Sequence, residues 1–467
     1  MHKMGHEETP TYYQTINKVA ERIETKKISP VELTKVLFDR IKKIDNQLHS
    51  YVNLMEESAL EAARTAEQEI MSGVYRSSLH GIPVGVKDVM DVKGYPTLSG
   101  MKALEGNVAD QDAAVVTRLK DAGAIILGKH ATTGGCIAGY HPEFKIPKNP
   151  WDRRRWAGMS SSGSGVATAA GLCFASLAAD SGGSIRWPSA SCGVVGIKPT
   201  WGLVSVERAL RLGLTLGSVG PMTRSVRDTA ILLATILDNK LRGSALLSDI
   251  GKPINGVRIG FDETYATRNV EQEVADTTKQ AVAILESAGA VIVPVNMPLF
   301  DELLEMWHII LWSETVQKFS GIEKDRYDQI RLYLRDKIEM ARTITLKEYV
   351  QANQLRHQYM ARLEEALENV DVLACPAMST LPHKVNDRIL HGLNPLPSDF
   401  NSVTKMQFLV PFNCSGDPTL TLPCGFSRDS LPMGLQLVGK RYSEPLLFRV
   451  GYAYESATEW HRMHPNV

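Results

Sequence analysis

The chain has 467 residues, of which 43% are hydrophobic and 22% are charged, the ordinary composition of a globular protein. Lysine plus arginine and aspartate plus glutamate each total 52, so the formal net charge is zero. This balance gives no electrostatic footprint for nucleic acid or for an anionic membrane, and neither is expected as a partner.

The first predicted elements are amphipathic helices. Ser29 is suited to cap a helix and Pro30 to occupy its first position, and apolar residues then recur at helical spacing as far as Ile44. An alanine- and glutamate-rich segment over residues 60–70 predicts a further helix. Residues 11–75 are therefore predicted to form an N-terminal helical layer.

Strands then alternate with helices. The segment GIPVGVKDV at residues 81–89 has a strand pattern, and it is followed by a helical pattern from Ala114 and by the strand AIILG at residues 124–128. The same order returns with the strand GVRIGF at residues 256–261, a helix, and the strand AVIVPV at residues 290–295. Because this alternation is typical of βαβ units, an α/β fold is predicted.

The last third of the chain predicts helices, a loop and two more strands. Residues 303–367 have a mostly helical pattern, and four prolines mark a loop between residues 376 and 399. LTLPCGF at residues 420–426 and MGLQLVG at residues 433–439 have strand patterns. Since no linker composition divides the chain, we predict a single domain over residues 1–467.

The location of the protein is predicted from its N-terminus and its cysteines. The first ten residues are polar and lack the apolar segment of a signal peptide. The most lipophilic stretch, residues 165–179, is shorter than the roughly 20 residues that span a bilayer. The six cysteines lie far apart with no CxxC spacing, which favours buried, reduced thiols. We therefore expect a soluble, cytoplasmic protein.

Residues 149–200 are rich in serine and glycine. The segment begins NPWDRRRWAGMSSSGSG, continues with small residues that predict a helix, and ends ADSGGSIRWPSASCGVVGIKPT. A flexible linker is one interpretation, but the serines adjoin a long apolar run. A dinucleotide-binding loop is another, but GSGVAT lacks the last glycine of GxGxxG, and no strand pattern precedes it. The segment has no GxSxG motif, and the chain has no HExxH motif or zinc-like His/Cys spacing, so no metal is expected.

Taken together, these motifs resemble those of the amidase signature hydrolases, over nearly the whole chain. The matching segments are GVKD at residues 85–88, the serine cluster at 158–165, the block at 180–199, GPM at 220–222, FNCSGDPTLTLPCG and LPMGLQLVG. The resemblance implies an α/β fold with a large, mixed, twisted β-sheet covered by helices on both faces. It also implies amide hydrolysis without a cofactor, a signature core over residues 80–225, and a helical and loop substrate region over residues 300–400.

The resemblance further implies a Ser–Ser–Lys triad. The nucleophile falls on Ser184, the bridging serine on Ser160 and the base on Lys87, and the family's two serines lie 24 positions apart, as these do. A lysine accepts a proton only when it is neutral, and lowering its pKa from about 10.4 to near 7 costs about 4–5 kcal/mol. Burial among the valines of residues 84–89 is expected to lower the pKa of Lys87.

Two details of the backbone also follow from the resemblance. The family has a cis peptide bond before the bridging serine, where Met159 here replaces the usual glycine. An oxyanion hole is implied at the backbone N–H groups of Ser181, Gly182, Gly183 and Ser184. Asp180 and Arg186 are expected to hold this loop by hydrogen bonds.

The acyl site is implied at Gly134, Gly135 and Cys136. Gly134 stands where the family usually has a glutamate or another polar residue, and two glycines would widen the site and remove a charged contact. The expected substrate is therefore a small neutral amide with a bulky or aryl group, with esters and carbamates as further substrates.

Three functions stay open from the sequence. The first is a stand-alone amide hydrolase, the second an A-type amidotransferase subunit that acts on misacylated tRNA with partner subunits, and the third a non-catalytic binding protein on the same fold. The three arginines at residues 153–155 are placed in a solvated loop in preference to a nucleic-acid patch, because the net charge is zero. Homo-oligomerisation is left open.

Overall fold

The computed structural model describes most of the chain. The described residues are 9–137, 139–209, 213–238, 240–298, 302–319, 322, 326, 329–330, 332–384, 386, 390–391 and 406–467. The polar N-terminal residues 1–8 and much of the proline-marked loop, residues 392–399, therefore lie outside the described residues. So do parts of the substrate region predicted at residues 300–400.

A single mixed β-sheet organises the described residues. Its eleven strands lie in the order β1-β3-β2-β4-β6-β5-β10-β11-β9-β7-β8. Parallel pairing joins β2 to β3 and β4, and β7 to β8 and β9, whereas the other neighbours are antiparallel. The strands are β1 Tyr51–Leu54, β2 Pro83–Lys87, β3 Ile125–His130, β4 Ala175–Asp180, β5 Val195–Lys198, β6 Ser218–Thr223, β7 Arg258–Phe261, β8 Val291–Pro294, β9 Val372–Pro376, β10 Thr419–Phe426 and β11 Pro432–Gly439.

Helices connect these strands. The α-helices of the described residues are α1 Ile16–Glu24, α2 Pro30–Leu48, α3 Glu56–Met71, α4 Ala114–Asp121, α5 Ser162–Ala169, α6 Arg186–Cys192, α7 Val226–Ile236, α8 Lys240–Ser248, α9 Glu263–Thr267, α10 Gln272–Ser287, α11 Leu303–Phe319, α12 Leu332–Thr343, α13 Leu346–Ala366, α14 Val410–Ser415 and α15 Glu444–Ser456. The Ser29 hydroxyl caps α2 by accepting hydrogen bonds from Val31 N and Glu32 N, both at 3.1 Å. The two predicted βαβ units are confirmed, since β2 pairs in parallel with β3 and β7 with β8.

The sheet separates two hydrophobic cores. In β9, Val372 and Ala374 belong to one core and Leu373 and Cys375 to the other, as expected of successive residues on opposite faces of a strand. The first core includes apolar residues of α1–α4, α7, α10 and α15, and the second includes those of α11–α14. The predicted α/β class, a large mixed sheet with helices on both faces, is therefore confirmed. The division into one domain with three parts stays a prediction.

The small-residue run at residues 165–179 differs from its predicted helix. The helix α5 ends at Ala169, Gly171 follows with a φ of 65°, and residues 175–180 form the central strand β4 between β2 and β6. Alanine favours a helix over a strand, but this local preference is weak and tertiary context overrides it in a fully buried segment. Here the edges of two neighbouring strands supply the hydrogen bonds that decide the conformation.

Candidate active site

Two strand ends bring the predicted catalytic segments together. Strand β2 ends at Lys87 and strand β4 ends at Asp180, and the two strands are parallel neighbours. Their carboxyl ends therefore lie at the same edge of the sheet, the place where α/β proteins commonly bind ligands. The loop after β4 carries Ser184, so the topology places the lysine and the nucleophile candidate at one edge.

Close packing of α5 fixes the serine cluster at this edge. A Cβ atom on Gly163 would come within 2.4 Å of Ser50 O and 2.5 Å of Ala131 N. Only glycine permits the first turn of the helix to lie against this backbone. The segment before the helix contains a cis peptide bond between Met159 and Ser160, so the predicted cis geometry is present with methionine in place of glycine.

Lys87 and Ser160 form a buried pair. The Lys87 Nζ atom donates a hydrogen bond of 2.6 Å to Ser160 Oγ and lies 3.5 Å from the carbonyl oxygen of Ala179. Lys87 is only 1% exposed and Ser160 is fully buried. Burial lowers the pKa of Lys87, and the nearby Cys136 and Asp180 partly oppose this shift. The pair therefore has the geometry and the electrostatic environment for proton exchange between an amine and a hydroxyl.

Ser184 lies on the loop after β4, beside the serine cluster. Its carbonyl oxygen accepts a hydrogen bond of 3.3 Å from Ser161 N, which ties the loop after β4 to the serine cluster. Ser184 is half-buried and lines a cavity, whereas Ser160 is fully buried. Ser184 can therefore be reached from the cavity, whereas Ser160 is enclosed by protein groups.

A buried ion pair holds the loop. Arg186 Nε donates to Asp180 Oδ2 at 3.0 Å, and Arg186 Nη2 donates to Asp180 Oδ1 at 3.1 Å. Asn413 Nδ2 adds a hydrogen bond of 3.0 Å to the same Oδ1 atom. Burial alone would raise the pKa of Asp180, but the guanidinium and these hydrogen bonds hold it well below its usual range. The bracing predicted for Asp180 and Arg186 is present.

The amide of Gly183 belongs to this bracing. Gly183 N donates a hydrogen bond of 2.7 Å to Asp180 Oδ1, so its single proton is already engaged. Gly183 has a φ of 103°, and a Cβ atom there would come within 2.4 Å of Leu409 Cδ1. This differs from the expectation that all four successive amides of the loop face one oxyanion. The Asp180 carboxylate at the end of β4 accepts the proton of the third amide, Gly183 N, and the spacing of residues in the sequence does not reveal this contact.

Replacing Arg186 should strongly destabilise the folded protein. The substitution Arg186→Met is expected to lower the free energy of unfolding by about 3–5 kcal/mol, because Asp180 would stay buried without its cation. Chemical denaturation measures the loss. The matched control is Arg258→Met, since the ion pair of Arg258 with Asp371 has side chains that are 45% and 32% exposed. The control should cost about 0–1 kcal/mol, and equal losses in both variants would contradict the assignment.

A cavity of about 230 Å³ opens beside Ser184. Within the described part of the chain, Ser181, Gly182 and Cys136 line it together with the polar side chains of His308 and Lys337. Burial, together with the charge of Lys337, lowers the pKa of His308 to about 4, so this imidazole is neutral at pH 7. The remaining wall is apolar and consists of Ile137, Met159, Leu304, Trp307, Leu311, Trp312 and Met406.

The glycine pair predicted at the acyl site does not widen this cavity. Of the three predicted residues only Cys136 is among the described residues that line it. Gly135 has a φ of 60°, and a Cβ atom there would come within 2.7 Å of Leu334 Cδ2, so other side chains fill the adjacent space. Gly134 and Gly135 instead form a short 3₁₀ turn whose amides donate to Gly139 O and Ser99 O, both at 2.8 Å.

Comparison with known proteins shows the family to which this chain belongs. The family model described as Amidase matches residues 32–448. The chain belongs to the amidase signature family. It is 34% identical to a putative amidase, AmiD, of Mycobacterium bovis, over 97% of this chain and 96% of that protein. It is also 34% identical to the A-type subunit of the glutamyl-tRNA(Gln) amidotransferase from Gloeothece citriformis, over 97% of this chain and 99% of that protein. A crystal structure of an amidase matches with a TM-score of 0.84 and 28% identity, over 95% of this chain and 99% of that one.

In this amidase-family hydrolase, the cavity residues on α11 and α12 are predicted from the sequence only as a region, whereas Cys136, Ser181 and Gly182 are predicted individually. Trp307 and Trp312 lie on α11, and Lys337 lies on α12, inside a region that the sequence marked only as a helical substrate segment. The sequence signal for them was two tryptophans five positions apart in one apolar helix. That pattern is equally typical of a buried helix.

Neither a metal-binding cluster nor a membrane-spanning helix is found among the described residues of this amidase-family chain. No group of three or more His, Cys, Asp or Glu side chains is arranged to hold a metal ion there. None of the helices described is both long and apolar enough to cross a membrane. All six cysteines are free thiols, and five of them are buried, whereas Cys136 is half-buried at the cavity.

Proposed function

We propose that the protein hydrolyses amides through a seryl acyl-enzyme, with Ser184 as nucleophile, Ser160 as proton relay and Lys87 as base. The observation that carries the proposal is the buried hydrogen bond of 2.6 Å between Lys87 Nζ and Ser160 Oγ, at the sheet edge where Ser184 lines a cavity. A serine hydroxyl needs a base to attack an amide carbonyl, and a desolvated lysine is such a base.

In the proposed mechanism protons are relayed between Ser184 and Lys87 through Ser160. Ser184 Oγ forms a bond to the carbonyl carbon while its proton passes to Ser160 and the proton of Ser160 passes to Lys87. When the tetrahedral intermediate collapses, the C–N bond breaks and the departing amine takes a proton back by the same route. Water then attacks the acyl-enzyme in the same manner and releases the carboxylic acid and free Ser184.

The developing oxyanion is assigned to the loop after β4. The amides of Gly182 and Ser184 are the proposed donors, because Gly183 N already donates to Asp180. The buried Asp180–Arg186 pair keeps the loop from rearranging while charge develops. Preorganised donors of this kind contribute about 3–4 kcal/mol each to the stabilisation of a transition state.

The substrate proposed is a neutral amide with a compact aryl or other bulky apolar group, and esters and carbamates of the same shape are proposed as further substrates. The apolar wall with two tryptophans supports this substrate class, whereas the glycine pair does not line the cavity and gives it no support. A volume of about 230 Å³ is smaller than the about 300–1,000 Å³ of most ligand pockets and favours a small acyl group.

A panel of amides, esters and carbamates tests the proposal, with the Ser184→Ala variant as the blank. We expect the kcat/KM of a neutral aryl amide to exceed that of a free dicarboxylic acid amide by at least about tenfold, because burying a carboxylate in an apolar wall is costly. Hydrolysis is measured by release of the amine. Comparable rates on both amides would contradict the proposed substrate class but not the triad.

The second candidate is an A-type amidotransferase subunit. The 34% identity to such a protein from Gloeothece citriformis, over nearly the full length of both chains, favours it. The discriminating experiment is to purify the chain alone and assay the panel and glutamine. Activity of the lone chain on aryl amides supports the stand-alone hydrolase, whereas activity only with added partner subunits and charged tRNA supports the amidotransferase.

A non-catalytic binding protein on the same fold is the third candidate. A fluorophosphonate probe reacts with activated serines and therefore separates it from both enzymes. Covalent labelling of Ser184, mapped by mass spectrometry, is expected. Failure to label any serine would reject the seryl mechanism.

A further inference from the structure

An indole on helix α11 contacts the loop that carries the proposed oxyanion donors. Trp307 Nε1 donates a hydrogen bond of 2.9 Å to the backbone carbonyl oxygen of Ser181. Trp307 is 8% exposed and its ring lines the cavity beside Ser184. A substrate group in the cavity would therefore lie against the same ring that holds the loop.

This hydrogen bond fixes the direction of the next amide. The carbonyl of Ser181 and the N–H of Gly182 belong to one peptide plane, and in a trans peptide these two groups point in opposite directions. Holding the oxygen of Ser181 toward Trp307 therefore turns the Gly182 N–H away from the indole. A hydrogen bond to the carbonyl also polarises the peptide group and makes its N–H a stronger donor.

The ring restrains the same residue sterically. A Cβ atom on Gly182 would come within 2.4 Å of Trp307 Cζ2, so the indole lies directly against the Cα atom. Gly182 is not among the described glycines with a positive φ, so here glycine is required by the approach of the ring and not by backbone conformation. The hydrogen bond and the ring contact together leave one orientation for the Ser181–Gly182 peptide.

The position of Trp307 in α11 extends this restraint to the substrate. Leu304, His308, Leu311 and Trp312 of the same helix also line the cavity. We infer that Trp307 is a positioning residue that aligns the Gly182 amide with the oxyanion and links that alignment to the helix forming the substrate wall. The inference rests on the proposed seryl mechanism.

Removing the indole N–H tests the inference. Trp307→Phe keeps an aromatic ring without the donor, and β-(3-benzothienyl)alanine at position 307 keeps the shape of the indole with sulfur in place of N–H. We expect both to lower the second-order rate constant for phosphonylation of Ser184 by a fluorophosphonate by about 10–100-fold, somewhat less than loss of a whole oxyanion donor. For the best amide of the panel, kcat should fall by a similar factor while KM changes by less than about threefold.

The matched control is Trp151→Phe. Trp151 Nε1 donates to the backbone carbonyl of Cys192 at 2.8 Å, the same kind of bond, and it is not among the residues that line the cavity. Its phosphonylation rate should equal that of the unmodified protein, and the thermal unfolding of all variants should stay cooperative. A loss that appears in KM alone, or an unchanged rate with the benzothienyl variant, would overturn the role of Trp307 and leave the triad in place. No labelling of the unmodified protein would overturn the seryl mechanism and this inference together.

Discussion

The substitution Ser184→Ala is expected to lower kcat on the best amide by at least about ten-thousand-fold, because the proposed acyl-enzyme forms on the hydroxyl that it removes. The fold should be retained, since Ser184 is half-buried at the cavity and the substitution removes a single hydroxyl. Steady-state kinetics measures the loss, and circular dichroism with thermal unfolding measures the fold.

A serine close in sequence serves as the control. Ser191 lies on α6, seven positions further along the chain, and is buried away from the cavity beside Ser184. Ser191→Ala should keep kcat within about threefold of the unmodified protein. If Ser184→Ala kept more than a few per cent of the activity, the nucleophile would be assigned to the wrong residue.

The substitution Lys87→Met is expected to lower kcat/KM by at least about a thousandfold, because the nucleophile would lose its base. Lys87→Arg should be equally inactive, since an arginine keeps its proton at every accessible pH. In the unmodified protein kcat/KM should rise with pH and level off above the pKa of Lys87, which burial places below the usual value for lysine. The pH dependence of kcat/KM measures that pKa.

The same shift predicts an effect on stability. Because the pKa of Lys87 is lower in the folded protein than in the unfolded chain, the unfolded chain binds more protons at pH values between the two. The free energy of unfolding should therefore rise with pH in this window, and Lys87→Met should abolish that contribution. Lys87→Met should be no less stable than the unmodified protein at pH 7. A clear loss of stability there would show that the amine is charged and paired in the folded state.

Local patterns were sufficient to predict much of the fold. The helix cap at Ser29 and the alternation of β2, α4 and β3 depend on side chains and on neighbours close in the chain, so they are visible in sequence. The strand β4 was not, because its alanines and serine fit a helix as well, and only pairing with β2 and β6 makes it a strand.

The sequence predicts the proposed catalytic residues more fully than the residues that line the cavity. Ser160 and Ser184 lie in a segment that is unusually rich in glycine and serine, and the resemblance assigns Lys87, Ser160 and Ser184 residue by residue. The structure brings Lys87 and Ser160 within 2.6 Å although they lie 73 positions apart in the chain. That contact arises because α5 packs its preceding serine cluster against the end of the sheet where β2 stops, and no local pattern specifies such packing.

The sequence by itself determined which residue types could perform the chemistry, the class of the fold and most of its elements, because each depends on composition or on spacing over a few residues. Tertiary structure alone decided that Gly183 N donates to Asp180, that Trp307 holds the carbonyl of Ser181, and that tryptophans wall the cavity in place of the glycine pair. The Trp307 hydrogen bond and the tryptophan wall join segments that are far apart in the chain, whereas the Gly183 hydrogen bond occupies the single proton of one amide. Their outcome depends on distances and directions that packing sets.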